Sequence, residues 1–246
     1  MQRGENTLFF PRYGKMNRMR KAKNIKIISL DLFQTLVSVN ESIDYVWREF
    51  LQENYTDEFA RKHRERGNEI VLENMHQAAL NEANFVNVRR VFENSYTQIF
   101  SEIHLDYDPK RAAGILIHGH RINRLFDDVK PFLGEIKQKY KVCLCTDCDT
   151  EMLGDISGIF EFDKLFVSED LQAYKLNPKF FKHVIEYYEV SPENILHIGD
   201  GNSDIIAPKK LGITTCWLNR RNLKWDQTVK PDFEVKSLLE IPDLLD

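Results

Sequence analysis

One stretch decides the fold of this chain, Ile25-Lys26-Ile27-Ile28-Ser29-Leu30-Asp31-Leu32-Phe33-Gln34-Thr35-Leu36. It begins as an apolar run, which is typical of a strand buried in a parallel sheet. The run ends at Asp31, and Thr35 follows four residues later. Because open α/β sheets carry their chemistry outside the carboxyl ends of the strands, we predict that Asp31 lies at the functional edge of such a sheet.

The second half of the chain alternates between strand and helix patterns, beginning at Lys130-Pro131. Helical spacing predicts helices near 132–139, 150–157, 178–189 and 203–211. Strands that alternate with helices favour an α/β fold with a doubly wound, Rossmann-like parallel sheet. Apolar runs predict its later strands at 141–146, 165–168, 195–199, 213–218 and 233–235.

Residues 40–126 have a different pattern, in which apolar side chains recur at helical spacing with few turn breakers. Asp108-Pro109 marks one helix start in this region. We predict four or more helices and no strand here. The expected domains are a basic extension at 1–24, an α/β core at 25–39 and 127–246, and an inserted helical domain at 40–126, called the cap.

The composition excludes several classes of protein. A net charge of −4 over 246 residues gives no reason to expect nucleic acid binding. No apolar run approaches the ~18 residues of a membrane span. Residues 1–24 hold seven Lys or Arg against one Glu and lack the apolar core of a signal peptide, so a solvated extension is expected. A reducing cytoplasm is expected because the cysteines do not form a disulfide framework: Cys143, Cys145, Cys148 and Cys216.

Three later segments carry further candidate functional residues at or just beyond predicted strand ends. One strand ends in Thr146, and Asp147 follows it. Lys175 precedes a predicted helix and is a compact cation that can neutralise nearby negative charge. A later apolar strand runs into a Gly-Asp pair, which places Asp200 at the strand end, and Asp204 begins the next helix. Two carboxylates that converge there favour a hard cation such as Mg²⁺.

In this order, the segments resemble the four motifs of the haloacid dehalogenase-like (HAD) superfamily. The first motif of that superfamily is a hydrophobic strand followed by Asp-x-Asp-x-Thr. The resemblance covers about residues 24–240 and implies the same layout, with a helical cap between the first and second motifs. The matching positions, from the nucleophile onward, are Asp31, Thr35, Thr146, Lys175, Asp200 and Asp204.

The resemblance implies a Mg²⁺-dependent phosphatase that forms an aspartyl-phosphate on Asp31. The metal would be held by Asp31, Asp200 and the backbone carbonyl of Phe33, with support from Asp204. Substrate would be bound by a second set of side chains. Two of them, Lys175 and Thr146, would also stabilise the negative charge of the transferring group. That set is Thr35, Thr146, Asp147 and Lys175.

Two positions depart from the family pattern. Phe33 stands where the phosphatases usually carry an acid/base Asp, and Asp147 stands where relatives often have Asn. An acid of this kind contributes about 10²–10⁴-fold to the rate. Its loss leaves three alternatives: a leaving group that needs no proton, an acid supplied by the cap or by Asp147, or a different reaction such as dehalogenation or phosphonate hydrolysis.

The intact Gly199-Asp200…Asp204 pattern favours the phosphatase over the dehalogenase, because displacing halide from carbon needs no Mg²⁺. A binding or regulatory protein that has lost turnover is a further alternative. The expected partner is a small phosphorylated or halogenated molecule, with no nucleic acid and no membrane. We expect a monomer or a homodimer.

Overall fold

The computed structural model describes residues 21–38, 43–81, 83–121, 124–154, 156 and 160–246. Its strands are β1 (Ile27–Leu30), β2 (Val37–Ser38), β3 (Arg124–Leu125), β4 (Lys141–Thr146), β5 (Lys164–Val167), β6 (Ile195–Gly199), β7 (Thr214–Leu218) and β8 (Phe233–Val235). Its helices are α1 (Ile43–Leu51), α2 (Asp57–Leu80), α3 (Val88–Glu102), α4 (Pro109–Arg121), α5 (Val129–Ile136), α6 (Ser168–Leu171), α7 (Pro178–Tyr188), α8 (Ser203–Lys210) and α9 (Ile241–Leu244). Within this part of the chain, no helix has both the length and the apolar character needed to cross a bilayer.

The core of the protein is a parallel sheet of 6 strands in the order β5-β4-β1-β6-β7-β8. Every residue of β1 is buried, which explains its continuous apolar run. The chain winds from β1 through β4 to β5 and then crosses to β6, so the direction of winding reverses beside β1. A crevice at such a point is where α/β sheets bind ligands. The predicted doubly wound α/β fold is confirmed.

The inserted all-α domain is also confirmed, and it consists of α1 to α4 in the described residues. Its helices pack around side chains such as Trp47, which is fully buried. Gly67 lies in the middle of α2, where any side chain would collide with Ile43 of α1. Helix α4 begins at Pro109, as the sequence predicts.

The expectation of no strand within 40–126 is wrong, because β3 lies there. β2 and β3 pair antiparallel, with Val37 opposite Leu125 and Ser38 opposite Arg124. Strands of two residues have no side-chain alternation, so no pattern in the sequence announces them. This ribbon joins the two segments that lead into and out of the cap. The domain limits at 39/40 and 126/127 stay predictions.

Two helix limits also differ from expectation. Helix α5 begins at Val129 rather than near 132, because Pro131 lies in its first turn, where no backbone N–H donor is needed. In the helix expected near 150–157, Thr150–Met152 forms a single 3₁₀ turn. Residues 155 and 157–159 lie outside the described residues.

The basic extension predicted at 1–24 lies outside the described residues up to residue 20. Its last part is attached to the carboxyl end of the chain. Ala22 forms a parallel bridge with Leu245, and the backbone N–H of Ala22 donates to the Leu244 carbonyl at 2.7 Å. The Lys21 ammonium donates to the Leu245 carbonyl at 2.8 Å.

Candidate active site

Three carboxylates converge at the carboxyl end of the central strands. Asp31 directly follows β1, Asp200 directly follows β6, and Asp204 lies in the first turn of α8. One oxygen of each lies within 4.8 Å of the others. The parallel pairing of β1 with β6 produces this convergence, because the two strands end at the same edge of the sheet. The structure thus brings together the acidic residues that the sequence singled out.

Lys175 lies among these carboxylates and is almost completely buried. Its Nζ donates to Asp31 Oδ1 at 2.6 Å and to Asp204 Oδ1 at 2.6 Å. Its backbone N–H donates to Asp147 Oδ1 at 2.8 Å, which holds the lysine loop against the end of β4. Asp147 therefore orients Lys175, a function that the sequence did not predict.

The electrostatics of the cluster show an excess of negative charge. Burial raises the pKa of Asp31 to about 8, with further increases from Asp204 and Asp200, although Lys175 acts to lower it. Burial alone would lower the pKa of Lys175, but the surrounding carboxylates outweigh it and hold that pKa well above its usual value. The pKa of Asp204 stays well below its usual range because Lys175 and His197 outweigh the effect of burial.

Asp204 is held in place by hydrogen bonds to a chain of buried polar groups. The Gly201 N–H donates to Asp204 Oδ2 at 2.9 Å. His197 Nε2 lies 3.1 Å from Asp204 Oδ1, and His197 Nδ1 lies 2.8 Å from the Ser29 hydroxyl. Burial lowers the pKa of His197, and because a carboxylate can only accept, the ring donates from Nε2 to Asp204. The sequence contains one sign that His197 supports Asp204, because this polar residue interrupts the apolar run of β6.

Gly199 is required by the same packing, because a side chain at this position would collide with the Asp204 carboxylate. The close approach of backbone and carboxylate explains the glycine at the end of β6.

The two threonines lie beneath the site. Thr35 and Thr146 are fully buried, and the hydroxyl of each makes no hydrogen bond to an oxygen or nitrogen atom of the described residues. Among the described side chains that line the adjacent cavity, neither threonine appears. Their roles in substrate binding stay predictions.

A cavity of about 680 Å³ separates the carboxylates from the cap. The core contributes Asp31, Lys175 and Asp147 to its walls, and Phe33 also borders it. The Phe33 ring meets the ring of His120 from α4 edge-on, with centroids 5.1 Å apart. Position 33 thus presents an aromatic face to the cap in place of an acid.

Asp147 differs electrostatically from the other acids. Burial raises its pKa to about 6, although Lys175 and the hydrogen bond from the Lys175 backbone act to lower it. A carboxyl with this pKa is partly protonated near neutral pH and lies beside the same cavity. It is therefore a chemically suitable acid that borders the same cavity as Asp31.

Comparison with known proteins identifies the family. A family profile described as haloacid dehalogenase-like hydrolase matches residues 25–212. The chain belongs to this family, and the predicted resemblance and hydrolase class are confirmed.

The individual relatives have different activities. Haloacetate dehalogenase H-2 of Moraxella sp. is 25% identical over 167 residues, which cover 65% of this chain and 74% of that protein. The pyrimidine 5'-nucleotidase YjjG of Escherichia coli is 34% identical over 86 residues, or 34% of this chain and 38% of that protein. The magnesium-bound crystal structure of the putative HAD-hydrolase YfnB of Bacillus subtilis has the same fold, with a TM-score of 0.73 and 20% identity, covering 91% of this chain and 100% of that one.

Proposed function

We propose that this protein is a Mg²⁺-dependent phosphatase that hydrolyses a small phosphate monoester through an aspartyl-phosphate on Asp31. The observation that carries the proposal is the convergence of Asp31, Asp200 and Asp204 within 4.8 Å, beside Lys175. The similar proteins include both a nucleotidase and a dehalogenase, so similarity alone does not choose between these reactions.

The residues present fit a magnesium ion. All three converging side chains offer carboxylate oxygen, the ligand type that Mg²⁺ prefers. Burial, with smaller contributions from Asp204 and Asp200, raises the pKa of Asp31, and a divalent cation held by Asp31, Asp200 and the Phe33 carbonyl would favour its ionised form. When bound, the ion would supply charge stabilisation to the transferring phosphoryl group.

Each side chain then has its own role in the reaction. A carboxylate oxygen of Asp31 attacks phosphorus and forms a P–O bond, while the bond from phosphorus to the leaving oxygen breaks. Lys175 stabilises the spread negative charge of the transferring group. Water then attacks the phosphorus of the aspartyl-phosphate, releases phosphate and restores Asp31. We also propose that the hydroxyls of Thr146 and Thr35 support the phosphoryl oxygens.

The leaving oxygen needs a proton, and Phe33 cannot supply it. Asp147 is our candidate, because it borders the cavity and has a pKa of about 6. Asp147→Asn should slow hydrolysis of alkyl phosphates by about 10²-fold or more and leave aryl phosphates nearly unchanged, because a phenolate departs without a proton. Equal slowing of both substrates would instead assign Asp147 only to orienting Lys175.

Dehalogenation is the second candidate, and Phe33 is the observation that favours it. An apolar side chain beside the nucleophile suits a halogenated carbon better than a phosphate ester. The cluster of three carboxylates opposes this candidate, since halide displacement from carbon needs no cation.

The test compares the two reactions in one preparation. Hydrolysis of an aryl phosphate is measured with Mg²⁺ and with EDTA, and halide release from a 2-haloacid is measured in parallel, with Asp31→Asn as the control. We expect Mg²⁺-dependent phosphate release that the substitution abolishes. Halide release without phosphate release would refute the phosphatase. Activity in neither assay would favour a binding role.

The cellular setting is also a proposal. The four cysteines are free, buried thiols, which supports a reducing cytoplasm. The substrate would be a small molecule, since Asp31 and Lys175 border a cavity of about 680 Å³.

A further inference from the structure

The cap side of the cavity has an unusual composition for a protein that handles phosphates. None of its described side chains is a Lys, Arg, Asp or Glu. The core supplies the cavity's described charges. Most of the cap wall is apolar, and its members include Val71, Leu72, Met75, Val88, Phe92 and Leu116.

Three polar side chains interrupt this apolar wall, and one of them, His120 of α4, already donates from Nδ1 to the Leu116 carbonyl at 2.8 Å. Asn68 of α2 borders the cavity, is half-buried, and makes no hydrogen bond from its amide within the described residues. Tyr96 of α3 also borders the cavity, and its hydroxyl is buried without a partner. A buried hydroxyl that lacks a partner is energetically unfavourable, so a ligand that pairs with it gains an advantage.

The side chains of Asn68 and Tyr96 lie on facing parts of neighbouring helices. Asn74 Nδ2 of α2 donates to Ser95 Oγ of α3 at 3.0 Å, and Gly67 of α2 faces Ile99 of α3. In the sequence, Asn68 and Tyr96 fall between these two contacts, and both side chains border the same cavity.

Resting on the phosphatase proposed above, we infer that the cap selects phosphate monoesters whose organic part is uncharged and mainly apolar, with one hydrogen-bonding group at its far end. Asn68 and Tyr96 recognise that group. A second phosphate or a carboxylate on the organic part would enter a wall that has no described Lys or Arg side chain, and burying an unpaired charge is costly. Bisphosphates and phosphorylated carboxylic acids are therefore excluded.

The test uses three aryl phosphates of similar reactivity, whose para substituents share a two-carbon spacer and end in a methyl group, an amide or a carboxylate. They are 4-propylphenyl phosphate, 4-(2-carbamoylethyl)phenyl phosphate and 4-(2-carboxyethyl)phenyl phosphate. We expect kcat/KM to be highest for the amide, about tenfold lower for the propyl compound, and lowest for the carboxylate. Tyr96→Phe and Asn68→Leu should each lower the amide-to-propyl ratio several-fold. Tyr187→Phe, at an exposed position on α7, should leave the ratio unchanged.

Recognition is also measured without turnover, by thermal shift with the matching arylmethylphosphonates. Equal kcat/KM for amide and propyl compounds would overturn the inference while the phosphatase stands. Amide-selective binding that Tyr96→Phe abolishes, without hydrolysis of any phosphate, would support the inference and refute the phosphatase. Failure of all three phosphonates to bind, together with no hydrolysis, would overturn both.

Discussion

Replacing Asp128 should destabilise this protein, and it is the most informative test of how the core is held together. Asp128 precedes α5, close to the segment that leaves the cap. Its carboxylate accepts hydrogen bonds from both terminal nitrogens of Arg220 at 2.9 Å and 2.9 Å. It also accepts from the Ser237 hydroxyl at 2.7 Å and the Leu238 N–H at 2.9 Å. One carboxylate therefore joins three separate parts of the core.

The magnitude follows from the burial of this pair. The Asp128 side chain is 10% exposed and that of Arg220 is 17% exposed. Removing one partner of a buried pair costs about 3–5 kcal/mol. Asp128→Asn keeps one acceptor oxygen, so we expect a loss near the lower end, about 3 kcal/mol. In a chain of this size, that loss lowers the Tm by about 6–12 °C.

The pH dependence provides the second half of the prediction. Burial alone would raise the pKa of Asp128, but hydrogen bonds from Arg220, Ser237 and the Leu238 backbone outweigh it and lower that pKa. A depressed pKa means that the stabilisation is complete above the unfolded value, about 4, and is lost as pH falls through the folded value. The difference between wild type and Asp128→Asn should therefore shrink as pH falls below about 4.

The assay is urea unfolding of both proteins at pH 7 and at a series of lower pH values. The neighbouring exposed residue offers a matched control, because Asp127→Asn should change stability by less than about 0.5 kcal/mol. A loss below about 1 kcal/mol for Asp128→Asn, or a loss that does not vary with pH, would refute the reasoning.

Three other predictions concern the site. Gly199→Ala should displace Asp204 and destabilise the protein by about 2–3 kcal/mol in urea unfolding, whereas Gly134→Ala, in open space on α5, should stabilise it by up to about 1 kcal/mol. His197→Phe removes the hydrogen bond to Asp204 and should lower phosphatase activity by about 10–100-fold; activity near wild type would contradict the proposed anchoring. Mg²⁺ at about 100 times its Kd should stabilise the fold by about 2.7 kcal/mol in thermal unfolding, and Asp200→Asn should abolish this gain; an equal gain in the variant would place the ion elsewhere.

The sequence allowed the sheet to be predicted because its signals are local. The strands at 141–146, 195–199 and 233–235 agree with the structure residue for residue, since apolar runs bounded by helices define them. The meeting of Asp31, Asp200 and Lys175 follows from topology, because parallel strands place their carboxyl ends at one edge.

What the sequence did not reveal depends on long-range contacts. The bonds from Arg220 to Asp128 span 92 positions, and Arg220 also donates to the Thr35 carbonyl at 2.8 Å and stacks 4.2 Å from the Phe126 ring centroid. No periodicity encodes these pairs. The same holds for Asn68 and Tyr96, whose shared position depends on how α2 packs against α3.

Arg220 also shows how cap and core are mechanically connected. Thr35 immediately precedes the approach to β2, and Phe126 immediately follows β3, so one guanidinium contacts both segments that join cap to core. Asp128 holds that guanidinium in place. Because Asp31 lies four residues before Thr35, we expect a change in the joining segments to affect the strand end that carries the proposed nucleophile. Arg220 and Asp128 therefore connect the core to both of the segments that lead to the cap.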